Sequence, residues 1–224
     1  TVQLSPTCLA TQPFNTPPLP TCLATGTGVT GGNAGDIFDF TMNEGDVLEL
    51  LGVQAQFDGE KHADLSGSVV SATEPVQVIG FNPITNIPDI VNADHIEEIV
   101  LPGEVLGKEY IVTVPTSPSG VVKGGHVVRF FGNVDGTALT YEAKPAGAPD
   151  TLNAGDVVEI GPITAAFKVA GDKAFSVGSF MIGGAGQGDG ACPNFPCSGD
   201  PSYSTMVTPE QFRKKYTFLA PVDY

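Results

Sequence analysis

Short runs of alternating apolar and polar residues, separated by turn residues, fill most of the chain from about residue 36 onward. They are rich in Val, Ile, Phe and Thr, and this composition with a period of two is typical of β-strands. Asp-Gly pairs at residues 58–59 and 135–136 have the chemistry of hairpin turns. The pattern predicts strands at residues 37–42, 46–53, 67–72, 76–81, 95–101, 110–115, 126–132 and 138–143.

A single helix is predicted, close to the C-terminal end. Thr208 is a typical N-cap, Pro209 suits the first helical position, and residues 210–215 would add one or two turns. No other window has a sustained helical period. Closely spaced strands without intervening helices indicate an all-β protein built as a sandwich or a barrel.

The same order of motifs occurs twice along the chain. The matched stretches are residues 43–49 with 153–159, residues 75–81 loosely with 174–180, and residues 102–115 with 209–221. This repeat predicts two tandem β-sandwich-like units of antiparallel strands, 34–145 and 146–224, which could also pack as one domain. Residues 1–33 form a separate N-terminal arm.

The second unit is expected to be incomplete. A hairpin at about residues 127–141 follows the last repeated stretch of the first unit, whereas the sequence stops at Tyr224 soon after the last repeated stretch of the second. A sheet that lacks strands exposes backbone groups and an apolar face that something has to cover. The candidates are the N-terminal arm, a partner chain that donates a strand, or a further downstream portion of the chain.

The arm contains the sequence Thr-Cys-Leu-Ala-Thr twice, around a Pro-rich centre. A disulfide between Cys8 and Cys22 would close this loop, which then either docks on a neighbouring subunit or remains a tethered tail. Cys192 and Cys197 form a second close pair. No further Cys/His pair completes a zinc site, so two local disulfides in an oxidising compartment are expected.

The composition narrows the classes of partner. Gly 28 and Pro 19 suit many turns, while 41% hydrophobic residues and a mean hydropathy of +0.10 suit a packed core. The 25 acidic and 10 basic residues give a net charge of −15, which disfavours nucleic acid and anionic membranes. No apolar run approaches the roughly 20 residues of a transmembrane helix. The start at Thr1 is expected to be that of a mature secreted or surface protein.

Seven short motifs occur in an order that resembles a known family. They are residues 64–70, 74–80, 94–98, 107–110, 135–137, 152–155 and 199–201. Together they resemble the N-terminal domain of IgGFc-binding protein and its secreted bacterial relatives, over roughly residues 36–224. The resemblance implies an extracellular, β-rich protein linked with adhesion, mucus or cell surfaces rather than catalysis. The family's usual cysteines are replaced here, at Ala93 and next to Phe81, so that disulfide is lost.

No residue pattern predicts catalysis. The histidines His62, His95 and His126 lack the spacings of metal or nucleophile motifs. Asp94 and His95 are neighbours, but adjacent side chains on a strand point to opposite faces, which argues against a relay. The Gly-x-Gly-x-x-Gly letters at residues 26–31 lack the strand–helix context of dinucleotide binding. No catalytic or cofactor-binding residue is therefore assigned.

Two further sets of residues are candidates for binding. Asp58, Glu60 and Asp189 lie in acidic loops that could recruit calcium through several oxygens, although solvated loops are the simpler interpretation. Aromatic residues gather near the C-terminal end, where they belong either to packing or to an assembly surface: Phe212, Tyr216, Phe218 and Tyr224.

The sequence thus predicts a non-enzymatic extracellular structural or adhesive protein, such as a subunit of a surface fibre or polymer joined by β-strand or arm exchange. Its partner would be further copies of itself. The alternative is a monomeric adhesion module that binds a glycan or glycoprotein. A secreted hydrolase is the third hypothesis, and a buried His/Asp/Ser group would support it.

Overall fold

The computed structural model describes residues 1–10, 21–55, 61–88, 93–116, 124–184 and 200–217, with side chains not described at 9–10, 54–55 and 61–62. The chain is all-β. Its strands are β1 (Val2–Gln3), β2 (Leu9–Ala10), β3 (Ile37–Phe38), β4 (Gln54–Ala55), β5 (Lys61–Asp64), β6 (Val69–Val70), β7 (Ile79–Thr85), β8 (Asp94–Ile99), β9 (Glu109–Val112), β10 (His126–Gly132), β11 (Thr137–Glu142), β12 (Thr151–Leu152), β13 (Val157–Ile163), β14 (Phe167–Gly171), β15 (Phe175–Met181) and β16 (Ser202–Thr205).

Two four-stranded antiparallel sheets form the largest part of the fold. Their strand orders are β13-β10-β15-β16 and β12-β11-β14-β9. Alternate residues of both sheets point into one shared core, as expected for a sandwich. The core members are Tyr110, Val112, Val128, Phe130, Leu139, Ala148, Leu152, Ile160, Phe167, Val169, Phe175 and Val177.

The N-terminal arm packs on a second, smaller core of the same chain. β1 lies between β3 and β6 and is antiparallel to both, while β2, β5 and β4 form another small sheet. The predicted Cys8–Cys22 disulfide is formed, with a Cα–Cα distance of 5.2 Å. Both cysteines are buried beside Leu4 and Leu23. The described part of the arm is therefore integrated into its own chain.

β7 and β8 form a two-stranded sheet of their own. Ile96 of β8 packs on a small cluster that contains Val127 and Phe180 of the large sandwich. Beyond this contact, the hairpin buries little apolar surface, since Ile79, Phe81 and Ile99 are all about half exposed.

Several sequence-based boundaries need correction. Residues 46–53 contain no strand among the described pairings. Apart from the turn bond of Asp46, their backbone is bonded only near its end, where Leu51 and Val53 contact residues 22–24 and Val53 also accepts the Ala63 N–H. The predicted strands at 37–42 and 67–72 shrink to Ile37–Phe38 and Val69–Val70. The strand at 126–132 is confirmed.

The predicted helix at 208–215 is wrong. Only a 3-10 turn, Pro209–Gln211, forms there, with Pro at its start as expected. Thr208 is extended and makes no side-chain cap, because its hydroxyl is hydrogen-bonded to the Glu210 carboxylate instead. A matching 3-10 turn, Gly103–Val105, precedes β9.

The predicted hairpin at residues 127–141 is not formed, because β10 and β11 lie in different sheets and each pairs only with later strands of the chain. β10 lies between β13 and β15, and β11 lies between β12 and β14. Strands from both sides of residue 145 thus share the same sheets. The described strands of residues 34–101 belong to sheets of only two or three strands. The division at 145/146 stays a prediction. No described helix has the length and apolarity required to cross a bilayer.

Candidate binding and assembly surface

Three turns share the sequence Asn-x-Gly-Asp and the same geometry. They begin at Asn33, Asn43 and Asn153, and in each the Asp carboxylate accepts a hydrogen bond from the Asn backbone N–H at 2.7 to 2.8 Å. The glycine has a φ of 78°, 88° or 82°, which favours a residue without a Cβ. The repeat of residues 43–49 and 153–159 contains only the last two turns. The copy at Asn33 has the same spacing and extends that repeat.

The Asn153 turn holds the two parts of the molecule together. A Cβ on Gly155 would lie 3.1 Å from Cδ of Pro6 and 3.2 Å from the carbonyl oxygen of Gly67. Near Gly45, the equivalent glycine of the Asn43 turn, such a Cβ would have no neighbour within 4 Å. The same local sequence is therefore packed in one copy and open in the other.

A repeated tyrosine shows the same contrast. The Tyr110 hydroxyl accepts a hydrogen bond from the Gly107 N–H at 3.1 Å and donates one to the Phe175 carbonyl oxygen at 2.6 Å. The Tyr216 hydroxyl accepts the corresponding bond from the Arg213 N–H at 2.9 Å. Tyr110 is 1% exposed and its ring meets the edge of Phe175, whereas Tyr216 is 66% exposed.

The repeat also relates the small sheet β3-β1-β6 to the sandwich sheet β12-β11-β14-β9. β11 lies between β12, which precedes the Asn153 turn, and β14. β1 lies in the same way between β3, which precedes the Asn43 turn, and β6. The second neighbour of β14 is β9, which carries Tyr110. Among the described residues, β6 has no second neighbour, so one of its edges is open.

Exposed apolar side chains concentrate in the half with the smaller sheets. Most of the large hydrophobic residues that are exposed in the described chain lie between Ile37 and Val105, and Val47 reaches 92%. On β7 and β8, Ile79 and Ile99 are directly paired and half exposed. Exposed apolar side chains that gather on one part of a folded protein are typical of interaction surfaces.

The most strongly charged buried group is a cluster around Arg129. Its guanidinium lies 2.6 Å from the Asp64 carboxylate and 2.5 Å from that of Glu159, and it stacks over Phe180 at 5.1 Å. Burial would raise the pKa of Asp64, but Arg129 and Ser66 outweigh it and hold this pKa below its ordinary value. Burial raises the pKa of Glu159 despite Arg129. The cluster ties residues of both halves to β10.

A buried histidine lies at one end of the sandwich. Nδ1 of His126 is 2.7 Å from the Ser179 hydroxyl, and no described group is hydrogen-bonded to its Nε2. Burial lowers the pKa of His126 to about 4. The hydroxyl of Ser179 also borders a pocket of about 230 Å³. Among the described residues no carboxylate completes a triad, so this pair lacks the group that orients a catalytic histidine.

Asp94 and His95 do meet, contrary to the expectation of opposite faces. The carboxylate of Asp94 is 3.2 Å from Nδ1 of His95 and accepts the His95 backbone N–H at 2.8 Å. Both side chains are largely exposed at the start of β8. The same carboxylate oxygen, Oδ1 of Asp94, makes both contacts, so its bond to the His95 backbone N–H also brings it beside the ring.

The remaining site predictions fall in different places. Phe212 and Tyr216 are exposed, as an assembly surface requires. No group of three or more potential metal-binding side chains occurs in the part of the chain that the structure describes. The other candidates lie outside the described residues: Asp58, Glu60, Asp189, Cys192, Cys197, Phe218 and Tyr224.

A shallow depression of about 440 Å³ lies beside the Asn43 turn. It is lined by two acidic residues, Asp39 and Asp46, and by apolar ones that include Phe40 and Met42. Both its acids and its aromatic ring belong to residues 39–48, the part of the first half without regular strands.

The described strands thus form a β-sandwich with a smaller sheet beside it that has one open edge. A sequence model of the family described as IgGFc binding protein matches residues 16–224, and the chain belongs to that family. The match begins well before residue 36, so it includes Cys22 and the second part of the arm. No curated protein and no solved structure matches the chain. Family membership makes this an extracellular binding or adhesion-type module.

Proposed function

We propose that the protein is a non-enzymatic structural or adhesive subunit, secreted or held at a cell surface, whose copies join by β-strand or arm exchange. The observation that carries this proposal is the open edge of β6 together with the half-exposed apolar residues around it, Val69, Val70 and Val76. Exposed strand edges recruit further strands.

The arm supports the same proposal. β1 supplies the neighbour that β3 and β6 need, and Val2 and Leu4 are buried there. The same contacts can form between copies if the arm exchanges, as in domain swapping. The disulfide between Cys8 and Cys22 anchors the arm to its own chain at Cys8, so β1, which precedes it, is the part of the arm that would exchange.

Assembly is tested by sedimentation velocity and electron microscopy over a wide concentration range. We expect oligomers or fibres whose fraction grows with concentration, and their loss when the first ten residues are removed or Tyr216 is replaced. Monomers of 23.1 kDa alone, even at high concentration, would contradict the proposal.

A second candidate is a monomeric module that binds a glycan or glycoprotein. The depression beside the Asn43 turn supports it, because Asp39, Asp46 and Phe40 offer the hydrogen-bond acceptors and the ring that sugars commonly contact. Saturable glycan-array binding by the monomer, abolished by Asp39→Ala, would favour this candidate over assembly. Phe81→Ala, which lies away from the depression, is the matched control.

A further inference from the structure

We propose that the open edge of β6 receives residues 215–217 of a second copy of the chain as an added strand. The proposal rests on the proposed function and specifies its joint. The strand would run antiparallel to β6 and would take the place that β9 takes beside β14 in the other half of the molecule.

The internal repeat sets the register of this joint. In the observed pair, Tyr110 lies opposite Val169 and Ile111 lies opposite Lys168. The repeat matches Tyr110 with Tyr216. It also matches residues 174–180 with residues 75–81, and the same spacing continued towards the N-terminus matches Val169 with Val70. Tyr216 is thus expected opposite Val70, and Thr217 opposite Val69.

Hydrogen bonds around Tyr110 show what the joint would supply. The Tyr110 hydroxyl donates to the Phe175 carbonyl, and the Lys108 ammonium donates to the Asp172 carbonyl at 2.8 Å. The repeat matches Lys108 with Lys214, and Phe175 with Val76, which is 56% exposed. Tyr216 already holds the bond to Arg213, and no described group accepts its hydroxyl proton, so the Val76 carbonyl of the second copy would supply that acceptor.

A second copy is the occupant because the contact is not made within one chain. Tyr216 is 66% exposed and Val70 is 44% exposed in the same molecule. Charge favours the encounter, since residues 213–215 are all basic in a chain of net charge −15. The two surfaces differ, so the contact is head-to-tail and generates a ring or a filament.

Crosslinking tests the register directly. One chain carries Val69→Cys, another carries Thr217→Cys, and the two are mixed under a mild oxidant beside the wild-type chain. We expect a disulfide-linked dimer with one chain of each kind. Val70→Cys mixed with Thr217→Cys should give about tenfold less disulfide-linked dimer, since neighbouring residues of a strand point to opposite faces.

A single chain with both substitutions separates closure within a copy from exchange between copies. Linked oligomers support the proposal, whereas a crosslinked monomer as the sole product overturns it. Assembly that persists without the Val69–Thr217 crosslink would refute this joint and leave the proposed function standing. Absence of any oligomer for the wild-type chain would refute both.

The Tyr216→Phe variant adds a measurement that needs no cysteine. It keeps the ring and removes only the hydroxyl, so the dissociation constant of the assembly should rise about fivefold to tenfold. Tyr203→Phe, with a hydroxyl hydrogen-bonded to Thr205 of the same strand, is the control and should leave assembly unchanged. An unchanged dissociation constant for Tyr216→Phe would contradict the joint.

Discussion

Tyr110 and Tyr216 hold matching places in the repeat, yet the first is buried in the sandwich and the second faces solvent. Both accept a hydrogen bond from the backbone N–H three residues earlier. The difference lies in their neighbours, because β9 has β14 beside it whereas residues 215–217 have no described strand beside them. Local sequence therefore determines the turn, and the neighbouring strand determines burial.

The same contrast separates residues 34–101, which form only small sheets, from the sandwich formed by β9 to β16. β9 to β16 include the consecutive strands β10 and β11, which lie in different sheets, and each of them fills the gap between two other strands. In residues 34–101 the arm supplies β1 as a substitute for β11, and residues 22–24 reach only the end of the stretch 46–53. The first half thus has a smaller core and keeps the open edge of β6.

Phenylalanine truncation should give the largest difference between the halves. Phe130 is fully buried between the sheets, and Phe130→Ala should lower the free energy of unfolding by about 3–5 kcal/mol. Phe81 is 52% exposed on β7, and Phe81→Ala should change it by less than about 0.5 kcal/mol in the monomer. Urea unfolding at low protein concentration measures both.

The matched pair is informative in either direction. Equal losses for Phe130→Ala and Phe81→Ala would mean that β7 already has a packed neighbour in the monomer, and the contrast between the halves would fail. If Phe81→Ala weakened assembly without changing the stability of the monomer, the result would support the contrast between the two regions.

Breaking the cluster at Arg129 should lower the free energy of unfolding almost as much as Phe130→Ala does. Arg129→Met leaves the buried carboxylates of Asp64 and Glu159 without their cation, so we expect a loss of about 3 kcal/mol. Lys144→Met, which breaks the more exposed pair with Asp150, should cost less than about 1 kcal/mol. Chemical denaturation compares the two, and a loss for Arg129→Met no larger than for Lys144→Met would show that the cluster does not join the halves.

Acid should lower the stability of the large sandwich through His126. Burial lowers its pKa from 6.5 to about 4, so the unfolded chain takes up this proton at a higher pH than the folded chain does. This contribution is fully present above pH 6.5 and falls by about 3 kcal/mol as the pH decreases to 4. NMR titration of the imidazole checks it, and a midpoint near 6.5 in the folded protein would contradict the burial.

Two glycines of the repeated turn should give the smallest difference between paired variants. Gly45→Ala meets no neighbour and should cost about 1 kcal/mol, for its positive φ alone. Gly155→Ala has the same strain and also presses on Pro6 and Gly67, so we expect about 1 kcal/mol more. Thermal unfolding of the two variants measures the difference, and equal costs would indicate that the Asn153 turn does not pack on the arm.

Much of the fold could be predicted because strand patterns are local. The alternation in residues 126–132 identified β10 with its bounds, and the repeat identified equivalent turns and tyrosines. Residues 46–53 have a strand pattern as well, but a strand also needs a neighbour, and a single sequence does not say which neighbour is present.

The candidate site was only partly predictable for the same reason. The pattern named Phe212 and Tyr216 through their composition, and both are exposed. The cluster of Asp64, Arg129 and Glu159 and the pair of His126 with Ser179 join residues that lie about 30 or more positions apart. No short motif carries such contacts, since they depend on the pairing of β10 with its two neighbours.

Hydrogen exchange of the monomer and of the assembled protein tests the contrast between the halves most directly. The Val69 N–H faces β1 and the Val70 N–H faces the open edge, so we predict that in the monomer the amides of Val70 and of residues 214–217 exchange quickly while those of β10 are protected. On assembly the first two segments should become protected, and β10 should not change. Protection of the Val70 amide equal to that of β10 in the monomer, or no change there on assembly, would contradict the account.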